Sequence, residues 1–171
     1  SSPATARRGN GMASLAMLLA IVVTLLDQQV VSFTWILVGI LLGSLIGAIA
    51  ARTVKMTAMP QMVGIFNGFG GGASALVAIA EFLRLANSGA AMTMDTSITI
   101  ILSVIIGAVT FTGSFIAFGK LQGFISGSPI TFPLQNIVNF IVLLGILGLS
   151  VAVIGWPVPV YFFYIIIGLG L

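Results

Sequence analysis

The sequence predicts an all-α, polytopic transmembrane helix bundle, and three observations carry that prediction. Of 171 residues, 59% are hydrophobic and only 5% are charged, where a soluble domain typically carries about 25% charged residues. The apolar residues fall into long continuous runs without the two-residue alternation of an outer-membrane strand. Gly is abundant, at 21 residues, as closely packed membrane helices require. A soluble fold of this composition would lack the polar surface to cover itself, and hydrocarbon removes that demand.

A helix crossing about 30 Å of hydrocarbon needs roughly 20 apolar residues. The runs that qualify are about 11–30, 33–51, 60–82, 97–119 and 134–155, followed by a shorter one at 158–171. They form a single transmembrane domain over 1–171 with about six helices. The polar segments between them are Asp27-Gln28-Gln29, Arg52 to Thr57, Arg84 to Thr96, Lys120 to Pro133 and Gly155-Trp156-Pro157. Charge supports this division. If each run crosses, Arg7, Arg8, Arg52, Lys55 and Lys120 share one side, while Asp27, Glu81, Asp95 and Arg84 occupy the other. The bias of Lys and Arg sets orientation, so the N-terminus is expected on the cytoplasmic or matrix side. The last run is short and ends apolar, and Ser1 to Arg8 reads as a polar loop. The natural polypeptide is therefore expected to continue beyond Leu171, with the last helix truncated.

The chain has no Cys and no His. That excludes disulfides, thiolate or imidazole metal sites and histidine acid–base chemistry within it, and no metal is expected. Six cations and three anions form no basic patch, so no nucleic acid is expected either. Gly39, Gly43 and Gly47 recur every four residues and make one stripe; Gly64, Gly68 and Gly72 make another, beside Gly70 and Gly71. Such stripes let helix backbones approach closely. The density of Gly in the third run also suggests a local kink. The stretch Gly68 to Gly72 lacks the preceding strand and the Lys of a phosphate loop, so it is not read as a nucleotide site.

Polar residues inside the runs must find partners. Asn67 lies in the third, Thr110, Thr112 and Ser114 in the fourth, and Asn136 and Asn139 at the start of the fifth. Thr110 and Ser114 are four apart and share a face that Gly107 and Ala117 extend. The bland alternative for each hydroxyl is a bond to the carbonyl one turn back. For Asn67 it is an ordinary interhelical hydrogen bond. Glu81 titrates in principle but reads as interfacial, at the end of its span.

Two segments go further. Val54 to Val63, with Met59-Pro60 at its centre, leads into Phe66-Asn67-Gly68, and Gly107-Ala108-Val109-Thr110-Phe111-Thr112-Gly113-Ser114 leads to Ala117-Phe118-Gly119-Lys120-Leu121-Gln122-Gly123. Both resemble the membrane domain of the β subunit of proton-translocating nicotinamide nucleotide transhydrogenases. Arg8-Gly9-Asn10 and the segment from Pro129 to Pro133 fit the same family, and the resemblance covers roughly 7–136.

The resemblance implies an enzyme subunit that conducts protons while hydride passes between NAD(H) and NADP(H). Both nucleotides would sit in soluble domains, the NADP domain following Leu171, and this chain would bind no cofactor and hold no hydride-transfer site. It implies α-subunit membrane helices as partners, a dimer of αβ units, and a bacterial inner membrane in preference to a mitochondrial one. Some members carry a membrane histidine seven residues after the Met-Pro proline. Here that position is Asn67, as in other members whose companion polypeptide supplies the histidine. Asn67 and Ser114 would then line the proton channel together with Thr110, and Gly113 would be a close-packing position. A further channel Asn of the family belongs to a helix beyond Leu171. The rival readings are a secondary transporter whose helix breaks at Gly70 to Gly72 and a non-catalytic membrane scaffold.

Overall fold

The computed structural model describes residues 3–26, 33–89, 92–129, 131–155 and 161–171. The segments Asp27-Gln28-Gln29 and Trp156-Pro157, read as turns, lie outside the described residues. Among these residues six α-helices follow one another: α1 (Pro3–Leu26), α2 (Phe33–Thr53), α3 (Met59–Ser88), α4 (Met94–Leu121), α5 (Gln135–Gly155) and α6 (Tyr161–Gly170). Five are long and apolar enough to cross a membrane; α6 is apolar but shorter. The chain is a multi-pass, all-α membrane protein.

It divides into two compact units, Ser1–Thr53 and Val54–Leu171. The first holds α1 and α2. Their apolar side chains face outward all round, Trp35 at 77% exposure and Leu26 at 75% among them. That is the dress of helices surrounded by lipid or by other helices. Arg7 and Arg8 stand on α1 rather than in a polar loop. Backbone groups near a membrane are best satisfied within a helix, so the polar approach becomes its first turns.

The second unit is built on the antiparallel pair α3 and α4. A short 3₁₀ turn (Met56–Ala58) leads into α3, with Pro60 near its start, where a missing amide costs nothing. The helix runs for 30 residues without a break, about 45 Å at 1.5 Å per residue. It therefore extends past the hydrocarbon and ends at Ser88, with Gly89 in the left-handed conformation at φ 66°. Two expectations are corrected here. Arg84 lies on α3 and not in a loop, held to Glu81 one turn earlier by a 2.6 Å ion pair. Gly70 to Gly72 do not break the helix, and side chains of α4 lie against Gly71 and Gly72. That removes the broken helix on which the transporter reading stood.

At the crossing the backbones touch. A Cβ placed on Gly107 would lie 2.7 Å from the Gly71 carbonyl oxygen and 2.8 Å from the Ala75 nitrogen. One placed on Gly71 would lie 2.7 Å from Thr110 Cβ. Gly68 receives the Phe115 ring and Gly72 the Phe111 ring, at 2.9 and 2.8 Å from the same imagined atom, and Gly64 faces Phe118 at 3.6 Å. The α3 stripe is thus a packing surface. Among the described residues nothing lies within 4 Å of a Cβ imagined on Gly39, Gly43, Gly47 or Gly113, so Gly113, expected as a close-packing position, makes no such contact there. The tight position of α4 is Gly107, because that is the face turned towards α3.

Below the crossing, Ala78, Phe82, Ile100, Val104 and Phe163 form the buried core, with Val153 and Ile167 against it. Phe82 and Phe163 stack with ring centroids 3.8 Å apart. Gly170 rests on Ala108 at 3.2 Å from an imagined Cβ, so α6 runs alongside α4 in the same sense. At the other end Gly123, at φ 80°, turns the chain out of α4. Ile125 folds back there, its amide donating to the Gly119 carbonyl at 3.1 Å. Glu81, Arg84 and Asp95 thereby share one end of this unit, and Lys55 and Lys120 the other, as alternate crossing predicts.

Because the Gly107 contacts are to backbone and cannot swing aside, Gly107→Val is expected to destabilise the folded protein by about 1–3 kcal/mol or more. Gly70→Ala, at a position open within 4 Å, is expected to be neutral; folded yield and melting temperature in detergent check both. Phe163→Leu removes the ring stack and is expected to cost about 1 kcal/mol, read as a lower denaturation midpoint.

Candidate proton-path site

Asn67 lies two turns into α3, one residue before Gly68, where the helices are drawn together. Its side chain therefore reaches α4 without spanning a gap, and Asn67 Nδ2 donates to Ser114 Oγ at 2.8 Å. The two residues marked separately in the sequence are one hydrogen-bonded pair between helices. The pair works in either sense: an amide turned over would accept the hydroxyl proton instead of donating to it. As drawn, the Asn67 carbonyl remains an acceptor and the Ser114 hydroxyl a donor, so each can also bond water.

Asn67 is on the wall of a groove of about 510 Å³ between α3 and α4, with Gly70, Gly71, Ser74, Thr99, Ser103 and Thr110. Thr110 packs its methyl side against Gly71 and lines the same groove. The three expected channel residues thus come together. Thr112 does not join them, since its hydroxyl donates to the Ala108 carbonyl one turn back at 3.1 Å. Asn136 and Asn139 are exposed on the first turns of α5 and are not on the groove wall.

Hydroxyls elsewhere along the helices largely follow the bland pattern. Ser14, Thr24, Thr53 and Ser150 each donate to the carbonyl four residues earlier at 2.7–2.9 Å. Thr99 does the same towards Asp95 at 2.8 Å. Ser74, Ser103 and Thr110 do not: among the described residues none of these hydroxyls has a protein hydrogen-bond partner. At membrane depth such a group needs a partner from water or from another chain.

Ser74, Ser103 and Thr99 were not singled out in the sequence, although spacing held a signal. Asn67, Ser74 and Glu81 are seven apart and lie on one face of α3; Thr99, Ser103, Gly107, Thr110 and Ser114 step by three or four along α4. Glu81, read as interfacial, is inside the helix and lines a second groove, described below. The Gly68 to Gly72 stretch is helical throughout. Its amides are engaged in the helix and present no cradle, so these residues do not fit a nucleotide phosphate.

The sequence profile of the family described as NAD(P) transhydrogenase beta subunit matches residues 1–171. Two curated proteins of Rhodospirillum rubrum, one assigned to a particular strain, carry the name NAD(P) transhydrogenase subunit beta. Each is 42% identical to this chain over 140 residues, which cover 80% of the chain and 30% of the relative. The chain thus spans less than a third of the length of the curated relatives it matches. With the match running from the first residue to the last, and through both segments that meet at Asn67 and Ser114, the chain belongs to the NAD(P) transhydrogenase beta subunit family.

Proposed function

We propose that this chain forms the proton-conducting membrane part of a nicotinamide nucleotide transhydrogenase, as a single membrane domain that couples hydride transfer between NAD(H) and NADP(H) to proton movement. The observation that carries the proposal is the Asn67–Ser114 hydrogen bond, with Asn67 on the wall of a groove that also carries Ser74, Thr99, Ser103 and Thr110. An amide and a hydroxyl orient water but carry no charge near neutral pH. An imidazole with a pKa near 6.5 both takes and releases protons there. With no histidine in the chain, the titrating group comes from a companion α-subunit helix. NAD and NADP occupy soluble domains outside this segment, the NADP domain following it, on the side that carries Lys55 and Lys120. By the bias of the cations in the sequence that side is the cytoplasmic one, with the N-terminus there too, and a bacterial inner membrane is what the family resemblance implies. Gly39, Gly43, Gly47 and Gly113, open within this chain, pack the remaining helices of a dimer of αβ units.

The test uses the complete β chain with its companion subunit in sealed liposomes. Reduction of an NAD analogue by NADPH is expected to acidify the lumen and to speed up when an uncoupler is added. Asn67→Leu is expected to slow that coupled turnover at least several-fold. Interhelical side-chain hydrogen bonds in membranes are worth about 0.6 kcal/mol and at most about 1.7, so the folded yield of the variant should stay near that of the parent. Undiminished coupled turnover in Asn67→Leu would remove the channel role.

A further inference from the structure

The groove at Asn67 does not end there. A second groove of about 470 Å³ is lined by Ser74, Thr99, Ser103 and Glu81 among others, and it shares the first three with the groove that holds Asn67. The two are thus adjoining open grooves along the α3–α4 seam. On α3 they run from Asn67 to Glu81, fourteen residues or about 21 Å of helix. Ser74 stands halfway, two turns from each. On α4 the walls carry Thr110, Ser103 and Thr99, with Ser114 bonded to Asn67 at the head of the groove. A polar group thus recurs at every turn or two from Asn67, two turns into α3, to the acidic end of the helix pair. The hydroxyls of Ser74, Ser103 and Thr110 lack protein partners among the described residues, so at membrane depth water or another chain must supply them. At about 30 Å³ per water molecule, the space admits on the order of ten.

We infer that this seam is a water-filled half-path for protons, joining the Asn67–Ser114 pair to a mouth at Glu81, at the end of the unit away from Lys55 and Lys120. The inference rests on the proton-conducting reading and adds its route and exit. Serine and threonine hydroxyls both donate and accept. Each passes its own proton to the water ahead while taking one from the water behind, and no side chain is left charged. Glu81 is the one carboxylate on the wall, held in place by Arg84, whose Nε and Nη2 donate to its two oxygens at 2.8 and 2.6 Å. Asp95, in the first turn of α4, is the other acid at that end. Ser74, Ser103 and Thr99 are positioning residues that hold the water file.

Because the chain contains no cysteine, water access can be read directly. Ser74→Cys, Ser103→Cys and Thr99→Cys are introduced singly into the complete β chain and assembled with the companion subunit. Sealed membrane vesicles of each orientation are then exposed to a charged, membrane-impermeant thiosulfonate. Only a hydrated thiol ionises and reacts, so modification from the Glu81 side is expected at least about ten-fold faster than at Leu76→Cys. Leu76 is exposed but absent from both groove walls. Modification is also expected to lower proton-coupled turnover at least several-fold. Thiols that react no faster than the Leu76 control in assembled enzyme would mean that lipid or a partner helix fills the seam, and would overturn the inference. So would rapid modification that leaves turnover unchanged, which would mark a wet groove off the route. Asn67→Leu run alongside separates the failures: if it still slows turnover, the channel role stands and only this route is wrong.

Discussion

The contact between the Gly71 and Gly107 backbones is the constraint on which the rest of the second unit depends. In water, two apolar helix faces are driven together by the area they bury. In a bilayer the lipid tails are as apolar as leucine, so that drive is lost and close packing with interhelical hydrogen bonds must hold the helices. Packing rewards surfaces that fit, and the closest fit comes where neither helix carries a side chain. With the two glycines opposed, Phe115 and Phe111 fall into the spaces at Gly68 and Gly72. The register of α4 on α3 then follows, and with it the meeting of Asn67 and Ser114.

The same close approach explains why a polar groove lies beside a dry core. Where the helices touch, neighbouring side chains are forced to one flank or the other. On one flank Phe82 and Val104 close without polar groups against Phe163 of α6, while Ala78 and Ile100 also reach a groove wall. On the other stand Asn67, Ser74, Thr99, Ser103 and Thr110, which no helix of this unit covers. One helix pair thus builds both a closed apolar core and an open groove whose walls carry hydroxyls and an amide among apolar side chains.

Hydroxyls in the membrane fall into two groups by the same logic. Those of Thr112 and Ser150 return to their own helix and need nothing more. Those of Ser74, Ser103 and Thr110 are left open to the groove, where water or another chain must meet them. A path of amide and hydroxyl groups conducts without holding charge. It therefore needs a titrating group at some point along it, and a histidine from a companion helix and Glu81 at the mouth are the groups proposed to flank it.

The sequence by itself determined the class of the fold. Long apolar runs, sparse charge and glycine spacing are local properties, and they marked an apolar run along each described helix, although α1 begins at Pro3 and α3 continues to Ser88, outside the runs read there. Charge sorting likewise foretold that Glu81 and Asp95 would stand opposite Lys55 and Lys120. Asn67, Thr110 and Ser114 were legible because a polar residue in an apolar run is conspicuous without any structure. Only the tertiary structure decided which glycines touch, since Gly113 and Gly107 share a helix but not a face, and nothing local to α4 says which face α3 will meet. It also decided that Glu81 belongs to the wall of the groove. Helical spacing fixes which residues share a face, but the partner of that face depends on where two backbones can approach without a Cβ between them, and that is a property of the pair.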